Sequence, residues 1–385
     1  MKKIAFLCHD ISSLGGVQKV VVTIANKLSE IYDVTIICCK KNQNIDAFVE
    51  NYNNIKVYSG IQRNVVRRII DHCLGLTKIG ENEFCTIKEK VLYGEKIKNE
   101  LISYINNNRF DYVVGVEGYW SLALAMISPN IVSKTYGWQH SSYESYFKKK
   151  NCYYWGQESL FKKNVSKLSK YIVLNDVYKK SIDSNWETNN CVTISNPLSI
   201  TSKIKSDVSN KVILYAGRYS IETKGLDFLI ESFEIFIKRK PDWELRLVGD
   251  GADKKTIQGW INEKGLSNKI IIKERANDMI SEYLEASILA LPSRWEGMPM
   301  VVLEAFEMGL PVCAFDIDAM NGLVENRKEG LIAKKYDVEE FANNLFALAD
   351  NYEYRKELSE NCIVKSINYN LENISKHWIE LFDTN

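Results

Sequence analysis

The stretch SRWEGMPMVVLEAFEMGLPV, residues 293–312, contains a turn, a helix and the start of a strand. Gly297 permits a sharp turn, and Pro299 suits the first helical position, where its missing N–H costs nothing. Residues 300–308 then have the apolar spacing of a helix that Gly309 ends. Because one apolar strand precedes this segment and another follows it, the pattern predicts a β-α-β unit of a parallel sheet.

Two glutamates stand eight positions apart in this segment, Glu296 in the loop before the helix and Glu304 inside the helix. Taken alone, such glutamates are usually solvated residues near a helix start. The amides of residues 298–301, however, point outward at the positive end of the helix dipole, which suits an anion such as a diphosphate. Two carboxylates beside an anion site would repel the anion unless they bind hydroxyl groups. The combination predicts a site for a sugar nucleotide.

Two cations follow a strand of the same half of the chain. Arg218 comes directly after the strand that ends at Gly217, and Lys224 stands six residues later, just before a helix. Arginine offers a planar fork and lysine a point charge, and each charged hydrogen bond to a phosphate oxygen is worth roughly 1.5–3 kcal/mol. Alone, these cations would be interpreted as surface charges. Together with Glu296 and Glu304 they predict a binding site.

The organisation of the whole chain follows the same alternation. Its 385 residues exceed the usual size of one hydrophobic core, so two domains are expected. Strands are expected at residues 3–8, 33–39, 112–116, 133–136 and 171–174, and again at 212–217, 243–248, 269–273, 288–291 and 311–315. Helical patterns separate them, and the predicted linker is formed by Ser195-Asn196-Pro197 and the polar segment 201–210. This predicts an α/β protein of two doubly wound domains, whose ligands bind at the carboxyl ends of the strands.

Composition narrows the class of protein. Apolar residues make up 45% and charged residues 26% of the chain, as in ordinary globular proteins. The nine cysteines form no C-x-x-C pair and lie mostly in apolar runs, which is typical of reduced core residues in a cytoplasmic protein. No apolar run approaches the ~20 residues of a membrane span. We therefore expect a cytoplasmic location.

The net charge of +1 hides an asymmetry between the halves. Residues 1–195 carry 26 Lys and Arg against 18 Asp and Glu, and the remainder carries 24 against 31. A basic half of this kind can face an anionic surface, and it can equally reflect mere solvation. No nucleic-acid partner is predicted.

The sequence resembles the retaining glycosyltransferases of family 4, which have the GT-B fold of two Rossmann-like domains facing a central cleft. The resemblance covers nearly the whole chain and is most specific over residues 291–311. The segments that match the family are Gly15-Gly16-Val17-Gln18, Ala216-Gly217-Arg218, Lys224-Gly225, Val248-Gly249-Asp250-Gly251, Pro292-Ser293 and the E-x7-E element from Glu296 to Glu304. It implies an acceptor domain over residues 1–195, a nucleotide-sugar donor domain over 205–365, and a C-terminal helix, about 366–385, that joins the first domain.

The resemblance also implies roles for individual residues. Glu296 would contact hydroxyls of the donor sugar and Glu304 the nucleotide ribose, while Arg218 and Lys224 would hold the diphosphate. The remaining donor-binding positions are Gly15, Gly16, Gly217, Gly297, Met298, Pro299 and Met300. The missing side chains of the Gly15-Gly16 loop would allow the backbone to approach the donor closely.

His140 follows a first-domain strand, where the family often places a histidine near the donor sugar. Although a lone histidine is more often structural, its place at a strand end favours a catalytic role. His9, also at a strand end, is a weaker candidate. In the front-face mechanism favoured for the family, the leaving diphosphate takes the acceptor proton. The protein then stabilises the leaving group through Arg218 and Lys224, while His140 orients the reacting sugar.

A metal is not expected. Asp316-Ile317-Asp318 imitates the D-x-D metal motif of the other large transferase fold, but lone triplets of this kind are common and the predicted architecture needs no metal. The following residues, 318–321, depart from the glycine-rich pattern of relatives, which leaves sugar selectivity open there. The expected reaction has no cofactor.

Two segments of the basic half are candidates for contact with the acceptor or a membrane surface. Residues 62–70 mix arginines with apolar residues, and residues 146–150 mix lysines with aromatic residues that continue at 153–155. Such mixtures are typical of membrane-surface elements, although each is more often a solvated helix face. From these segments we also expect that the protein can lie peripherally at the inner face of the cell membrane.

The resemblance thus implies transfer of a hexose or N-acetylhexosamine from a nucleotide sugar, expected to be UDP-linked, to a glycan or lipid-linked acceptor in surface polysaccharide biosynthesis. One alternative is a nucleotide-sugar epimerase on the same fold, which would turn over its donor without an acceptor. Another is a non-catalytic partner that only binds sugar nucleotide. A nicotinamide dehydrogenase fits less well, because Gly15-Gly16 lacks the G-x-G-x-x-G pattern.

Overall fold

The computed structural model describes residues 1–11, 15–38, 55–59, 89–149, 153–274 and 278–384. The chain divides into two compact units, one formed by Met1–Pro197 with Leu371–Asn385 and the other by Leu198–Asn370. Each unit is built on its own parallel sheet.

The first unit contains seven strands in its described part. They are β1 Lys3–Cys8, β2 Asp33–Cys38, β3 Ile55–Tyr58, β4 Tyr112–Val116, β5 Lys134–Trp138, β6 Lys170–Val173 and β7 Cys191–Thr193. The α-helices between them are α1 Gly16–Leu28, α2 Glu95–Asn108, α3 Glu117–Ile127, α4 Glu158–Asn164 and α5 Asp176–Trp186. Shorter pieces are the 3₁₀ turns Ser128–Asn130 and Val165–Lys167 and the π-helical turn Glu144–Lys148.

The strands of the first unit lie in the order β3-β2-β1-β4-β5-β6-β7, and all of their described pairings are parallel. The central strand β4 is buried along its whole length, as an apolar strand covered on both faces should be. The chain order reverses between β1 and β4. In open parallel sheets, ligands bind at the carboxyl ends of the two strands that flank such a reversal.

The C-terminal helix Leu371–Thr384 belongs to this first unit because its apolar side chains pack there. Trp378 and Phe382, one helical turn apart, are fully buried. The ring of Trp378 lies 4.7 Å from that of Trp138 on β5, and the ring of Phe382 lies 4.6 Å from that of Tyr112 on β4. The last helix of the chain therefore covers the sheet formed by its beginning.

The second unit repeats the arrangement. Its strands are β8 Val212–Ala216, β9 Glu244–Val248, β10 Ile270–Lys273, β11 Ile288–Leu291, β12 Val312–Phe315 and β13 Gly330–Ala333. Its α-helices are α6 Ile221–Lys224, α7 Leu226–Ile237, α8 Lys254–Glu263, α9 Met279–Leu284, α10 Met300–Met308, α11 Asp318–Asn321, α12 Val338–Asp350 and α13 Tyr352–Ser366, the last followed by the 3₁₀ turn Ile367–Tyr369.

The strand order of the second unit is β10-β9-β8-β11-β12-β13, again with parallel pairings in the described residues. The order reverses between β8 and β11, so a ligand site is expected where these two strands end. These are the strands that precede Arg218 and Glu296. Both units are thus doubly wound, as the sequence predicts.

Sequence patterns located the central strands better than the edge strands. The predictions for β1, β4 and β11 agree with the structure residue by residue, whereas the strand predicted at 133–136 is Lys134–Trp138. The edge strands β3, β7 and β13 were not predicted. They are three or four residues long, and so short a segment offers too few positions for a periodic pattern to be recognised.

Candidate functional site

The loops after β8 and β11 meet closely in the second unit. Gly225, at the start of α7, has a φ of 65°, and a Cβ atom there would lie 2.1 Å from the carbonyl oxygen of Pro292. A side chain at this position would therefore both strain the backbone and push the two loops apart. Glycine lets the loop that carries Lys224 lie against the one that carries Glu296.

Lys224 and Glu296 form an ion pair across these loops. Nζ of Lys224 lies 2.6 Å from Oε1 of Glu296, and the hydroxyl of Ser293 donates a second hydrogen bond to the same oxygen, also at 2.6 Å. Ser293 is fully buried, and the side chain of Glu296 is only 8% exposed against 25% for Lys224. The carboxylate is therefore held in one orientation while the ammonium group keeps access to solvent.

A second interaction fastens the same two loops together. The guanidinium of Arg294 donates to both carboxylate oxygens of Asp227 on α7, at 2.8 and 2.5 Å, and to the carbonyl oxygen of Ile221 at 2.6 Å. It also lies 4.1 Å from the ring of Phe228, and its backbone N–H donates to the carbonyl of Thr223. Bidentate pairs of this kind fix geometry as well as adding stability.

Arg218 differs from Lys224 in that its side chain is exposed. Within the described part of the chain, no hydrogen bond or ion pair engages its guanidinium. Its backbone is fixed nonetheless, because the hydroxyl of Tyr215 donates to its carbonyl oxygen at 2.9 Å. The neighbouring Gly217 approaches Gly249 so closely that a Cβ at position 249 would lie 1.9 Å from the carbonyl oxygen of Gly217. A rigid backbone therefore presents an exposed cation beside the end of β8.

Glu304 lies on α10 and is bound by two hydroxyl groups. Tyr283 of α9 donates to its Oε2 at 2.7 Å, and the hydroxyl of Ser199 donates to its Oε1. Burial raises the pKa of the Tyr283 phenol well above its ordinary value, and the carboxylate of Glu304 adds to this effect. The phenol therefore stays protonated and acts as a hydrogen-bond donor.

Helix α10 begins immediately after the loop that carries Glu296. Pro299, predicted at the first helical position, is instead the residue that precedes the helix, with extended backbone angles, and Met300 is the first helical residue. Gly297 and Met298 lie in the turn before it, Met298 being buried. Gly309 ends the helix with a φ of 77°, as predicted. The first N–H groups of α10, which have no acceptor within the helix, thus follow directly on the loop after β11.

His140 lies in the first unit, two residues beyond the end of β5. It is 6% exposed, and its ring packs 4.4 Å from that of Trp138. Neither ring nitrogen has a hydrogen-bond partner among the described residues. Burial lowers the pKa of His140 to about 3, so the imidazole is neutral at physiological pH and can donate one hydrogen bond and accept another. Both ring nitrogens therefore have hydrogen-bonding capacity that the described residues do not use.

The Gly15-Gly16 loop lies at the start of α1 in the same unit. Gly15 has extended backbone angles that any residue could adopt, so its conformation does not require glycine. A Cβ atom there would instead meet the side-chain amide of Gln18 at 2.1 Å. The short contact is therefore with the first turn of α1.

Glu117, which the sequence patterns did not single out, lies where β4 turns into α3. Its φ of 61° is uncommon for a residue with a side chain and marks local strain, which in proteins clusters at functional sites. Its charge also contributes to raising the pKa of Tyr146, whose pKa is raised mainly by burial. Tyr146 accepts a hydrogen bond from the backbone of His140. Glu117 and His140 thus share a neighbour at the ends of adjacent strands.

The other sequence motifs have different surroundings. The carboxylate of Asp316 accepts a hydrogen bond from Asn321 at 2.8 Å, while Asp318 begins the short helix α11. No cluster of three or more His, Cys, Asp or Glu side chains suited to a metal occurs in the residues that the structure describes.

The basic segments proposed for a membrane surface gain little support. Residues 62–70 lie outside the described residues. In the other segment, Tyr146 and Phe147 are only 1% and 3% exposed and pack with Phe161 and other aromatic rings. Tyr146 and Phe147 thus belong to the core of the unit, whereas Tyr153 is 57% exposed and Tyr154 and Trp155 are partly exposed. In the described ranges, no helix is both long and apolar enough to span a bilayer.

The sequence of this chain is similar to those of known glycosyltransferases. Residues 199–364 match the family model of glycosyl transferases group 1. The chain is 27% identical to an uncharacterized glycosyltransferase of Haemophilus influenzae over 98% of this chain and 99% of that protein. It is also 26% identical to the poly(ribitol-phosphate) alpha-N-acetylglucosaminyltransferase of Staphylococcus aureus, over 57% of this chain and 45% of that protein.

Among solved structures, a mutant of S. aureus TarM in complex with Fondaparinux, alpha-GlcNAc-glycerol and UDP has a TM-score of 0.72 to this chain. The match covers 100% of both chains at 17% identity, and at this identity the likeness concerns the fold. The prediction of two Rossmann-like domains of the GT-B type is confirmed. The chain is similar to glycosyltransferases over its whole length, and its second unit contains the matched segment.

Proposed function

We propose that this protein is a retaining glycosyltransferase of family 4. It transfers a hexose or N-acetylhexosamine from a nucleotide sugar to a glycan or lipid-linked glycan during the synthesis of a surface polysaccharide. The observation that carries the proposal is the group of charges at the ends of β8 and β11. An exposed cation, Arg218, lies beside an ordered Lys224–Glu296 pair, in the segment that matches glycosyl transferases group 1.

The chemistry of the second unit fits a sugar diphosphate. Arg218 and Lys224 provide charge-assisted hydrogen bonds to phosphate oxygens, and the first turn of α10 adds N–H groups with the favourable end of its dipole. Glu296 accepts hydrogen bonds from sugar hydroxyls, and Glu304 from the ribose. Stabilising the negative leaving group is the main catalytic contribution that this arrangement can make.

The first unit contributes His140 and the Gly15-Gly16 loop in this proposal. The neutral imidazole of His140 orients the reacting sugar through hydrogen bonds rather than acting as a general base, because a pKa of about 3 makes it a poor proton acceptor at neutral pH. The leaving diphosphate then takes the acceptor proton. The reaction needs no metal and no cofactor.

Relatives guide the choice of substrates. The S. aureus TarM structure holds UDP, and the S. aureus relative is named for transfer of N-acetylglucosamine to poly(ribitol-phosphate). A relative from Escherichia coli is named for transfer of galactose from UDP-Gal to a diphosphoundecaprenol-linked sugar. We infer by analogy a UDP-linked donor and a surface glycan or lipid-linked acceptor. We therefore include in this proposal a location in the cytoplasm, at the inner face of the cell membrane.

The proposal is tested in two steps. Thermal-shift measurements with UDP-, GDP- and other nucleotide sugars identify the donor, because a bound ligand stabilises the folded state by mass action. The stabilising donor is then incubated with and without glycan acceptors, and the product is analysed by NMR. Acceptor-dependent nucleoside diphosphate release with a retained anomeric configuration is expected. Turnover of the donor to an epimer without acceptor, inversion at the anomeric carbon, or stabilisation by no nucleotide sugar would overturn the proposal.

A further inference from the structure

The carboxylate of Glu304 is bound at both oxygens by hydroxyl groups that differ in their surroundings. Oε2 accepts from Tyr283, whose side chain is fully buried, at 2.7 Å. Oε1 accepts from Ser199, which is only partly buried and is the second residue of the second unit. Glu304 itself is partly exposed. One oxygen thus accepts from a fully buried donor and the other from a partly exposed one.

Tyr283 is suited to fix the side chain of Glu304. It lies on α9, whose first turn is capped by the side chain of Asp278, and its ring is packed in the interior of the unit. A phenol has one donor hydrogen, and that of Tyr283 is donated to Oε2, so this bond determines which carboxylate oxygen points inward. Oε1 is then the oxygen that a ligand can reach.

We propose that Tyr283 positions Glu304 for a ribose hydroxyl, and that the hydroxyl of Ser199 occupies the place of that ribose hydroxyl until the nucleotide binds. This inference rests on the proposed function, in which Glu304 binds the ribose. Both Ser199 and a ribose present an O–H donor to a carboxylate oxygen. Binding therefore exchanges one charge-assisted hydrogen bond for another, and Ser199 competes with the ligand.

The two hydroxyls have opposite effects in this arrangement. Removing the Tyr283 hydroxyl lets the carboxylate rotate away from the ribose, which weakens nucleotide binding. Removing the Ser199 hydroxyl abolishes the competitor, which strengthens binding. A purely structural role for both residues would instead weaken binding, or leave it unchanged, in both variants. The sign of the Ser199 effect is therefore the informative measurement.

The experiment measures the Kd of UDP, GDP and ADP by calorimetry for the full-length protein and the variants Tyr283→Phe, Ser199→Ala and Glu304→Gln. Tyr119→Phe is the matched control, since it also removes one buried hydroxyl, which donates to the carbonyl of Leu92 at 3.0 Å in the first unit. For the nucleotide that binds, we expect about tenfold weaker binding in Tyr283→Phe and about threefold tighter binding in Ser199→Ala. Tyr119→Phe should match the parent.

Steady-state kinetics provide a second measurement. Tyr283→Phe should raise KM for the donor sugar nucleotide while kcat at saturating donor stays near that of the parent, because Glu304 contacts the ribose rather than the reacting atoms. Ser199→Ala should lower KM. This KM-against-kcat split would not result from a general loss of folded protein, which lowers the apparent kcat.

The outcomes separate this inference from the proposed function. If Glu304→Gln binds every nucleotide as the parent does, the ribose role of Glu304 and hence the donor site are wrong. If Glu304→Gln weakens binding but Tyr283→Phe behaves like Tyr119→Phe, the positioning role is wrong while the donor site stands. Weaker or unchanged binding in Ser199→Ala contradicts the competition.

Discussion

Nζ of Lys224 lies 2.6 Å from Oε1 of Glu296, so the cation expected to bind phosphate and the carboxylate expected to bind sugar hydroxyls already form an ion pair. The pairing explains how an acidic residue can lie in a pocket for an anion. The lysine charge offsets that of Glu296, so this carboxylate repels an anion at the exposed Arg218 less strongly.

Removal of Lys224 should affect Glu296 as well. We expect Lys224→Ala to lower kcat/KM at least tenfold, because it removes a phosphate contact and leaves a nearly buried carboxylate without its counter-ion. Because the two residues act together, the double variant Lys224→Ala/Glu296→Gln should lose less than the product of the single effects. A double-mutant cycle in kcat/KM checks this. Strictly multiplicative effects would mean that the pair does not act as a unit.

Arg218→Ala should lower activity without lowering stability. The guanidinium is exposed and engages no described partner, so its loss should change the free energy of unfolding by less than about 0.5 kcal/mol. Loss of its contact with the diphosphate should lower turnover by about one to three orders of magnitude. Parallel measurements of Tm and steady-state kinetics separate the two effects. Arg239→Ala, which alters another arginine of this unit, should leave turnover unchanged.

His140 should make the stability of the first unit depend on pH. Its pKa is about 3 in the folded protein and about 6.5 when unfolded, so between these values only the unfolded chain takes up the proton. The neutral ring of His140 therefore contributes fully to the stability of the folded protein above pH 6.5, and this contribution falls as the pH drops. At pH 5 the loss amounts to about 2 kcal/mol relative to neutral pH.

Denaturant unfolding at pH 7.5 and 5.0 measures this contribution. The free energy of unfolding at pH 7.5 exceeds that at pH 5.0, and this difference should be about 2 kcal/mol smaller in His140→Gln than in the parent. His377→Gln, which alters an exposed histidine of the C-terminal helix, is the control and should behave like the parent. An unchanged pH dependence in His140→Gln would show that the ring is accessible to protons in the folded state.

Arg294→Lys should lower the stability of the second unit although it keeps the positive charge. Lysine cannot form the two parallel bonds to Asp227 together with the bond to the carbonyl of Ile221. We expect the free energy of unfolding to fall by about 1–2 kcal/mol. The KM for the donor should rise, since the loop of Glu296 is no longer held to α7 through Asp227. Lys264→Ala removes a more exposed ion pair with Glu234 and should cost less than about 0.5 kcal/mol. Equal losses in the two variants would argue against the attachment.

Glu117→Gly should raise stability and lower activity. Glycine adopts a φ of 61° without the steric strain of a side chain, so the variant should gain up to about 1 kcal/mol. Glu187 has a similar φ of 53° on an exposed helix end, and Glu187→Gly should gain stability without any effect on turnover. Thermal unfolding and turnover assays of both variants test this. If Glu117→Gly remains fully active, the strain at position 117 has no role in the reaction.

The segment at the centre of the proposed donor site was predictable because its signals are local. The helix Met300–Met308 and its end at Gly309 follow from apolar spacing and from a left-handed φ of 77° that glycine adopts readily. These local signals were also sufficient to place Glu296 in the loop before that helix. His140 could likewise be placed at a strand end from the sequence alone, but the burial that makes its ring neutral could not.

The partners of these residues were decided by the tertiary structure. Ser199 and Tyr283 lie 105 and 21 positions from Glu304, and nothing in the local pattern of either segment marks it as a neighbour of that carboxylate. Periodicity specifies which face of an element is buried, whereas strand order specifies which loops meet. By itself the sequence determined two doubly wound units and the residues at their strand ends. Lys224 and Glu296 form an ion pair only because β8 lies beside β11 in the sheet. Neighbouring parallel strands bring together loops that are far apart in the chain.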